Sequence, residues 1–185
     1  AGVYAALDNR AVEQHALRVE PRQMSRSERL AAVRSGEVDA ALVRGTGEHD
    51  DDVTVEPVWS SPLYVALPVG HQLADRDTLT PADLAELPVR LAPRAANPAF
   101  HDLVTGLFRE AGVVFVPGPE FTTLQDTLVA LASDAAAGSP SWTVFDSAAP
   151  PPAGRRVVFR LLDGAASVTH LVFRHRSPAI DELLA

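Results

Sequence analysis

The sequence predicts an α/β protein built as two small lobes joined by crossing strands. Three observations lead there. The stretch "SERLAAVRSGEVDAALVRG" reads as a helix with a start and a stop, followed by a short apolar strand. A second series of helices and short strands fills about 68–150. Further strand-like pieces, in "VTVEPVWSSPLYVALP" and "RRVVFRLLDGAASVTHLVFRHR", flank that series. Helices and strands in close succession pack as layers around a sheet. The first lobe is expected to take residues 1–66 and 155–185, and the second residues 67–154.

The elements follow in order. Residues 2–15 have a loose apolar pattern suited to a helix, and "ALRVEPRQ" alternates like a short strand. Ser25 or Ser27 can cap the next helix, and Glu28 stands three residues after Ser25, where a capping box needs it. Leu30 and Val33 point inward, and Gly36 ends the helix. Val38 to Val43 form a strand, so strand, helix and strand suggest a parallel pair with a right-handed crossover. "GTGEHDDD" is a solvated loop. The stretch 53–68 supplies two extended pieces broken near Ser60, Ser61 and Pro62.

Thr80 caps a helical turn that Pro81 begins, and Val89 to Ala92 form a short strand. Asn97 caps a helix that starts at Pro98 and stops at Gly112, with Phe100, Leu103, Val104, Leu107 and Phe108 as its apolar positions. "VVFVPGPEF" is a strand and turn. The helix in "TTLQDTLVALASDAAAG" is expected to bury Leu124, Leu128, Val129 and Leu131. "WTVFD" is a strand and the Pro-rich "SAAPPPAG" a loop. The stretch 155–176 reads as an antiparallel hairpin turning at Asp163-Gly164, and Ser177-Pro178 opens a final helix.

Composition removes several function classes. The chain has 185 residues, 46% of them hydrophobic, enough for a sizeable core. A net charge of -8 gives no general pull toward nucleic acid. The absence of cysteine excludes disulfides, thiolate nucleophiles and cysteine metal sites. All 16 basic residues are Arg, which excludes Schiff-base lysine chemistry. No run of the ~20 apolar residues that cross a bilayer is present. The run Glu48 to Asp52 matches no calcium-loop spacing, and there is no phosphate loop. No cofactor and no metal is expected.

With the elements in place, "SERLAAVRSGEVDAALVRG" and "EPVWSSPLYVALPVGHQLADRDTLTPADLAELPVRL" together resemble the effector-binding domain of LysR-type transcriptional regulators. The Leu-Pro-x-x-His-x-Leu-Ala pattern is carried by Leu67, Pro68, His71, Leu73 and Ala74, and Pro-Ala-Asp-Leu follows at 81–84. The resemblance covers the whole chain, best between 25 and 131. It implies a type 2 periplasmic-binding-protein fold, with two Rossmann-like lobes, two crossover strands and a small effector in the cleft between them. It implies a cytoplasmic homodimer or homotetramer, pairing a first helix carrying Val3, Leu7 and Val12 with the helix at 98–111. Promoter DNA would be read through an N-terminal winged helix-turn-helix that this chain lacks, together with the family's first core strand. Membrane contact is not expected. Asp134 departs from the small residue usual at its place.

The candidate ligand-binding residues are Ser25, Arg26, Arg44, Arg94, Asn97, Phe121, Thr122, Thr123 and Trp142. Ser25 and Arg26 open a helix, where free N–H groups attract carboxylates; capping is the plainer role, and the resemblance tips Ser25 toward the effector. Arg44 follows a strand at its carboxyl end, and its fork suits a carboxylate. Arg94 and Asn97 lie between a strand and a helix. Phe121, Thr122 and Thr123 lie at the corresponding turn after 113–118, where the Thr hydroxyls also suit capping. Trp142 would form a further wall. His71 has no nucleophile beside it and is expected to be structural, near the hinge. No catalytic residue is assigned. Two other readings of the same fold stay open: a solute-binding protein of a transport system, and a dehydratase-like enzyme.

Overall fold

The computed structural model describes residues 18–45, 52–149, 151, 152 and 154–185, with Arg26 as backbone alone. The expected helix at 2–15 and most of the acidic loop lie outside these. The chain divides into two compact units, one taking in the chain up to Trp59 together with Val168–Ala185, the other Ser60–Ser167. Two long strands, β2 (Thr54–Pro68) and β5 (Val157–Phe173), run from one unit into the other.

The first unit begins with α1 (Arg26–Ser35). Ser25 and Glu28 form the expected capping box, and Gly36 closes the helix with φ of 76°. Strand β1 (Ala40–Arg44) pairs antiparallel with β5, Ala40 against Phe173 and Arg44 against Thr169. One face of this pair buries Ala41, Val43 and Val172 with Val33 of α1. The other face packs Leu171 and Phe173 against Ile180 of α4 (Pro178–Leu184), which Ser177 caps. Arg29 reaches back from α1 to donate to Leu42 O at 3.0 Å, which ties helix to strand.

The sequence expectation of a strand before α1 is overturned. Residues 18–25 are irregular, and Val19 is largely exposed. Pro21 has no N–H for a ladder, and Arg18 and Glu20 pair with each other instead. No parallel crossover with β1 therefore forms among the described residues.

The second unit holds the larger core. Leu63, Val65 and Leu67 of β2 are fully buried with Leu79, Leu84, Val104, Phe108, Trp142 and Leu162. Strand β4 (Thr143–Asp146) pairs antiparallel with β2, and β3 (Thr78–Leu79) pairs parallel with β5. The helices are α2 (Pro98–Glu110), capped by Asn97, and α3 (Leu124–Ala136), capped by Thr123. Val104 and Phe108 of α2 are buried, with Phe100, Leu103 and Leu107 packed partly against the same core. The expected strands at 89–92 and 113–118 shrink to single parallel bridges from Val89 to Pro117 and to Trp142.

Three further expectations are corrected. No break occurs at Ser60–Pro62, because the ladder to β4 begins one residue later, at Leu63, so the missing Pro62 N–H costs nothing on that side. No hairpin forms at Asp163-Gly164, because β5 runs straight through. Its two halves find different partners, β3 at Leu161 and Leu162 and β1 at Thr169–Phe173, so nothing folds it back on itself. Of the four residues expected to be buried on α3, Leu131 is buried and Leu128 half-buried, while Leu124 and Val129 are exposed.

Candidate functional site

In the first unit the candidates sit at element ends. The exposed Ser25 hydroxyl accepts from Glu28 N–H, and the Glu28 carboxylate accepts from Ser25 N–H at 2.7 Å, bonds that hold the Glu28 carboxyl below its ordinary range. Arg26 is the first residue of α1, and its side chain lies outside the described atoms. Arg44 is the last residue of β1, half-buried, directly opposite Thr169 in the antiparallel register. Thr169 is buried, and its hydroxyl has no hydrogen-bond partner among the described residues.

The second unit gathers its candidates around Val89 and Arg90. The Val89 bridges set three segments side by side, 117, 89 and 142, all parallel. Val89 N–H donates to Val116 O at 2.9 Å, and Gly118 N–H donates to Val89 O at 2.8 Å. Gly118 is needed for this approach: a Cβ there would meet Val89 O at 2.7 Å. Beyond the carboxyl ends of two of these segments come the turns with Arg94 and Asn97 and with Phe121, Thr122 and Thr123.

Asn97 accepts from Phe100 N–H at 3.3 Å, and Thr123 accepts from Asp126 N–H at 3.1 Å while donating to the Asp126 carboxylate at 2.8 Å. Both are exposed caps. Thr122 is exposed and Phe121 half-buried. Arg94 is exposed and forks onto Asp102, through Nε at 2.7 Å and NH2 at 2.6 Å. These bonds hold the Asp102 carboxyl below its ordinary range and raise Arg94.

Trp142 is a correction. It is 1% exposed, stacks on Phe108 with ring centroids 5.6 Å apart, and donates through its indole N–H to Leu87 O at 2.9 Å. A ring so packed and bonded belongs to the core and offers no wall to a ligand.

Sequence reasoning missed Arg90. It is 8% exposed, and each nitrogen of its guanidinium has a partner. Nε donates to Ser141 Oγ at 3.1 Å, NH1 to Glu120 O at 3.0 Å, and NH2 to the Asp134 carboxylate. A buried guanidinium is tolerated when its donors are met in this way. The signal was present in "LPVRLAP", where one charge interrupts an apolar run. Asp134 is thereby explained as the counter-charge of Arg90.

His71 accepts at Nδ1 from Leu73 N–H at 3.2 Å and caps the short helical turn Gln72–Asp75. Its role is local, as expected. Burial pushes its pKa below the ordinary 6.5. A depression of about 380 Å³ in the second unit is lined by His71, Gln72, Leu73, Asp83, Glu86 and Leu87 among others, and by none of the candidates. Asp83 there is engaged by Thr80 and Arg76. Among the described residues there is no group of acidic or histidine side chains that could hold a metal, and no helix long and apolar enough to cross a membrane.

Comparison with known proteins agrees with this architecture. Residues 10–185 match the family model described as LysR substrate binding domain. The HTH-type transcriptional regulator TtuA of Agrobacterium vitis is 29% identical over 79 residues, which are 43% of this chain and 26% of TtuA. Full-length CbnR in complex with its target DNA aligns over 87% of this chain and 56% of its own, with a TM-score of 0.71 and 18% identity. The BenM effector binding domain with its effector benzoate aligns over 90% of this chain and 75% of its own, with a TM-score of 0.72 and 21% identity. The chain thus spans about half the length of the full-length regulators whose fold it shares. The helices, the bridged core of the second unit and the two through-running strands make an α/β fold of the type 2 periplasmic-binding-protein kind, and the chain belongs to the LysR substrate-binding domain family.

Proposed function

We propose that this chain is the effector-sensing domain of a LysR-type DNA-binding transcription regulator, and that it binds a small carboxylate, with or without a ring. One observation carries the reading: in the second unit, the Asn97 and Phe121–Thr123 turns both follow parallel-bridged segments at their carboxyl ends. Ligands of open α/β sheets bind outside such ends. Thr122 and the N–H groups at the starts of α2 and α3 supply donors, and Phe121 supplies an apolar surface. Arg44, at the end of β1, and Ser25 and Arg26, at the start of α1, are the candidates that the first unit offers. Arg94 already holds Asp102, so a ligand would have to displace that carboxylate, and its part is secondary. The cleft between lobes that the likeness implies belongs to this proposal.

The benzoate bound by the BenM domain supports carboxylate chemistry. The domain is no enzyme and needs no cofactor. In the whole protein it works as a cytoplasmic homodimer or homotetramer, and promoter DNA is met through a separate N-terminal domain. Calorimetric titration with benzoate as probe tests the ligand. Binding should be measurable with the wild-type chain and weaken by about tenfold in Thr122→Val, which loses one hydrogen bond to a charged group. Equal binding by both proteins, or none by the wild type, removes the assignment.

A further inference from the structure

The stretch Pro119–Thr122 has little of its own to hold it. Among the described residues its backbone makes no hydrogen bond to another backbone group. One side-chain bond reaches it, from Arg90 NH1 to Glu120 O at 3.0 Å. Glu120 immediately precedes the turn Phe121–Thr123. The same guanidinium grips Asp134, near the far end of α3, the helix that Thr123 caps. Its Nε holds Ser141 at 3.1 Å. Arg90 itself is fixed at its backbone: its N–H donates to Trp142 O at 2.7 Å, and its carbonyl accepts from the Thr143 hydroxyl at 2.7 Å. One rigid, buried fork therefore clamps the residue before the turn, the helix after it and the neighbouring segment.

We propose that Arg90 is the positioning residue of the Phe121–Thr123 turn, with Asp134 as its anchor. What the turn binds rests on the function proposed above; how it is held does not. Holding three partners at once requires a forked donor. A lysine ammonium concentrates its donors at one point and cannot span Ser141, Glu120 and Asp134 together. Asp134 orients the fork by taking NH2, which leaves NH1 directed at the Glu120 carbonyl. The unusual acid at position 134 thus has a purpose two segments away from itself.

The test is amide hydrogen exchange on the full chain, comparing wild type with Arg90→Lys and Asp134→Asn, the second being the milder change should the first fold poorly. Exchange at residues 126 and 127, whose N–H groups bond to Thr123, should rise by about tenfold in Arg90→Lys and by less in Asp134→Asn, the loss expected for a charge-assisted hydrogen bond. The amides of α2 and α1 should stay unchanged. Unchanged exchange at 126 and 127 in both variants overturns the proposal. So does uniform loosening of the second unit, which a purely structural buried pair would produce. Benzoate titration of the same variants separates the two claims. Local loosening without weaker benzoate binding keeps the positioning and overturns the ligand reading alone. No loosening overturns the positioning, whatever benzoate does.

Discussion

At the scale of the residue, two glycines illustrate different constraints. Gly118 faces Val89 O, and an added Cβ would sit 2.7 Å from it. Gly118→Ala should cost about 1–3 kcal/mol, as overpacking does, because the bridge to Val89 must open. Gly164 has open space around it but a φ of 67°. Gly164→Ala should cost about 1 kcal/mol from backbone strain alone. Urea denaturation of both variants checks the order; a larger loss at Gly164 contradicts it. The caps at Ser25, Thr80, Asn97, Thr123 and Ser177 were all legible in the sequence, because a cap is a local bond between near neighbours. Arg90, Asp134 and the core place of Trp142 were not. Their partners lie tens of residues away, and nothing local distinguishes a buried Arg or Trp from a ligand-facing one.

At the scale of the element, the turn Gln72–Asp75 shows how a family pattern serves structure. His71 Nδ1 must be unprotonated to accept from Leu73 N–H. Its pKa in the folded chain lies below 6.5, so the stabilising contribution is full above about pH 6.5 and is lost as pH falls through the folded value. Asn accepts the same bond at any of these pH values. Thermal melts from pH 8 to pH 5 should therefore show the wild type losing stability relative to His71→Asn at the acid end, and a constant difference would refute the cap. Arg160 steadies the turn from β5 by donating through Nε to Ala74 O at 2.9 Å. The course of β5 itself was misread as a hairpin. Asp-Gly is a turn signal only when the flanking strands can pair with each other, and here β3 and β1 take the two halves instead. The expected burial of Val129 failed for a similar reason: helical spacing marks an apolar face but not its width.

At the scale of the whole molecule, the two units differ in how the chain makes them. The second is one continuous segment, Ser60–Ser167, and its two apolar clusters draw no residue from outside it. The first is assembled from the two ends of the chain. A fragment of residues 60–167 should therefore fold cooperatively alone, with a dispersed amide spectrum that overlays the corresponding part of the full-chain spectrum. A collapsed spectrum would show that the second unit depends on the first. The α/β class and the presence of strands crossing between lobes were readable from element order, but not that β2 and β5 each run through unbroken. The antiparallel pairing of β1 with β5 was not, because strand partners across a hundred residues leave no mark in either strand.

The proposed function puts ligand chemistry at the carboxyl ends of the bridged segments. The most direct measurement is an amide chemical-shift titration of the full chain with benzoate, with succinate as a second carboxylate. The account predicts shifts concentrated at residues 97–100 and 121–126, with further shifts around Arg44. Shifts confined to the His71–Leu87 depression, or no shifts with either carboxylate, would contradict it.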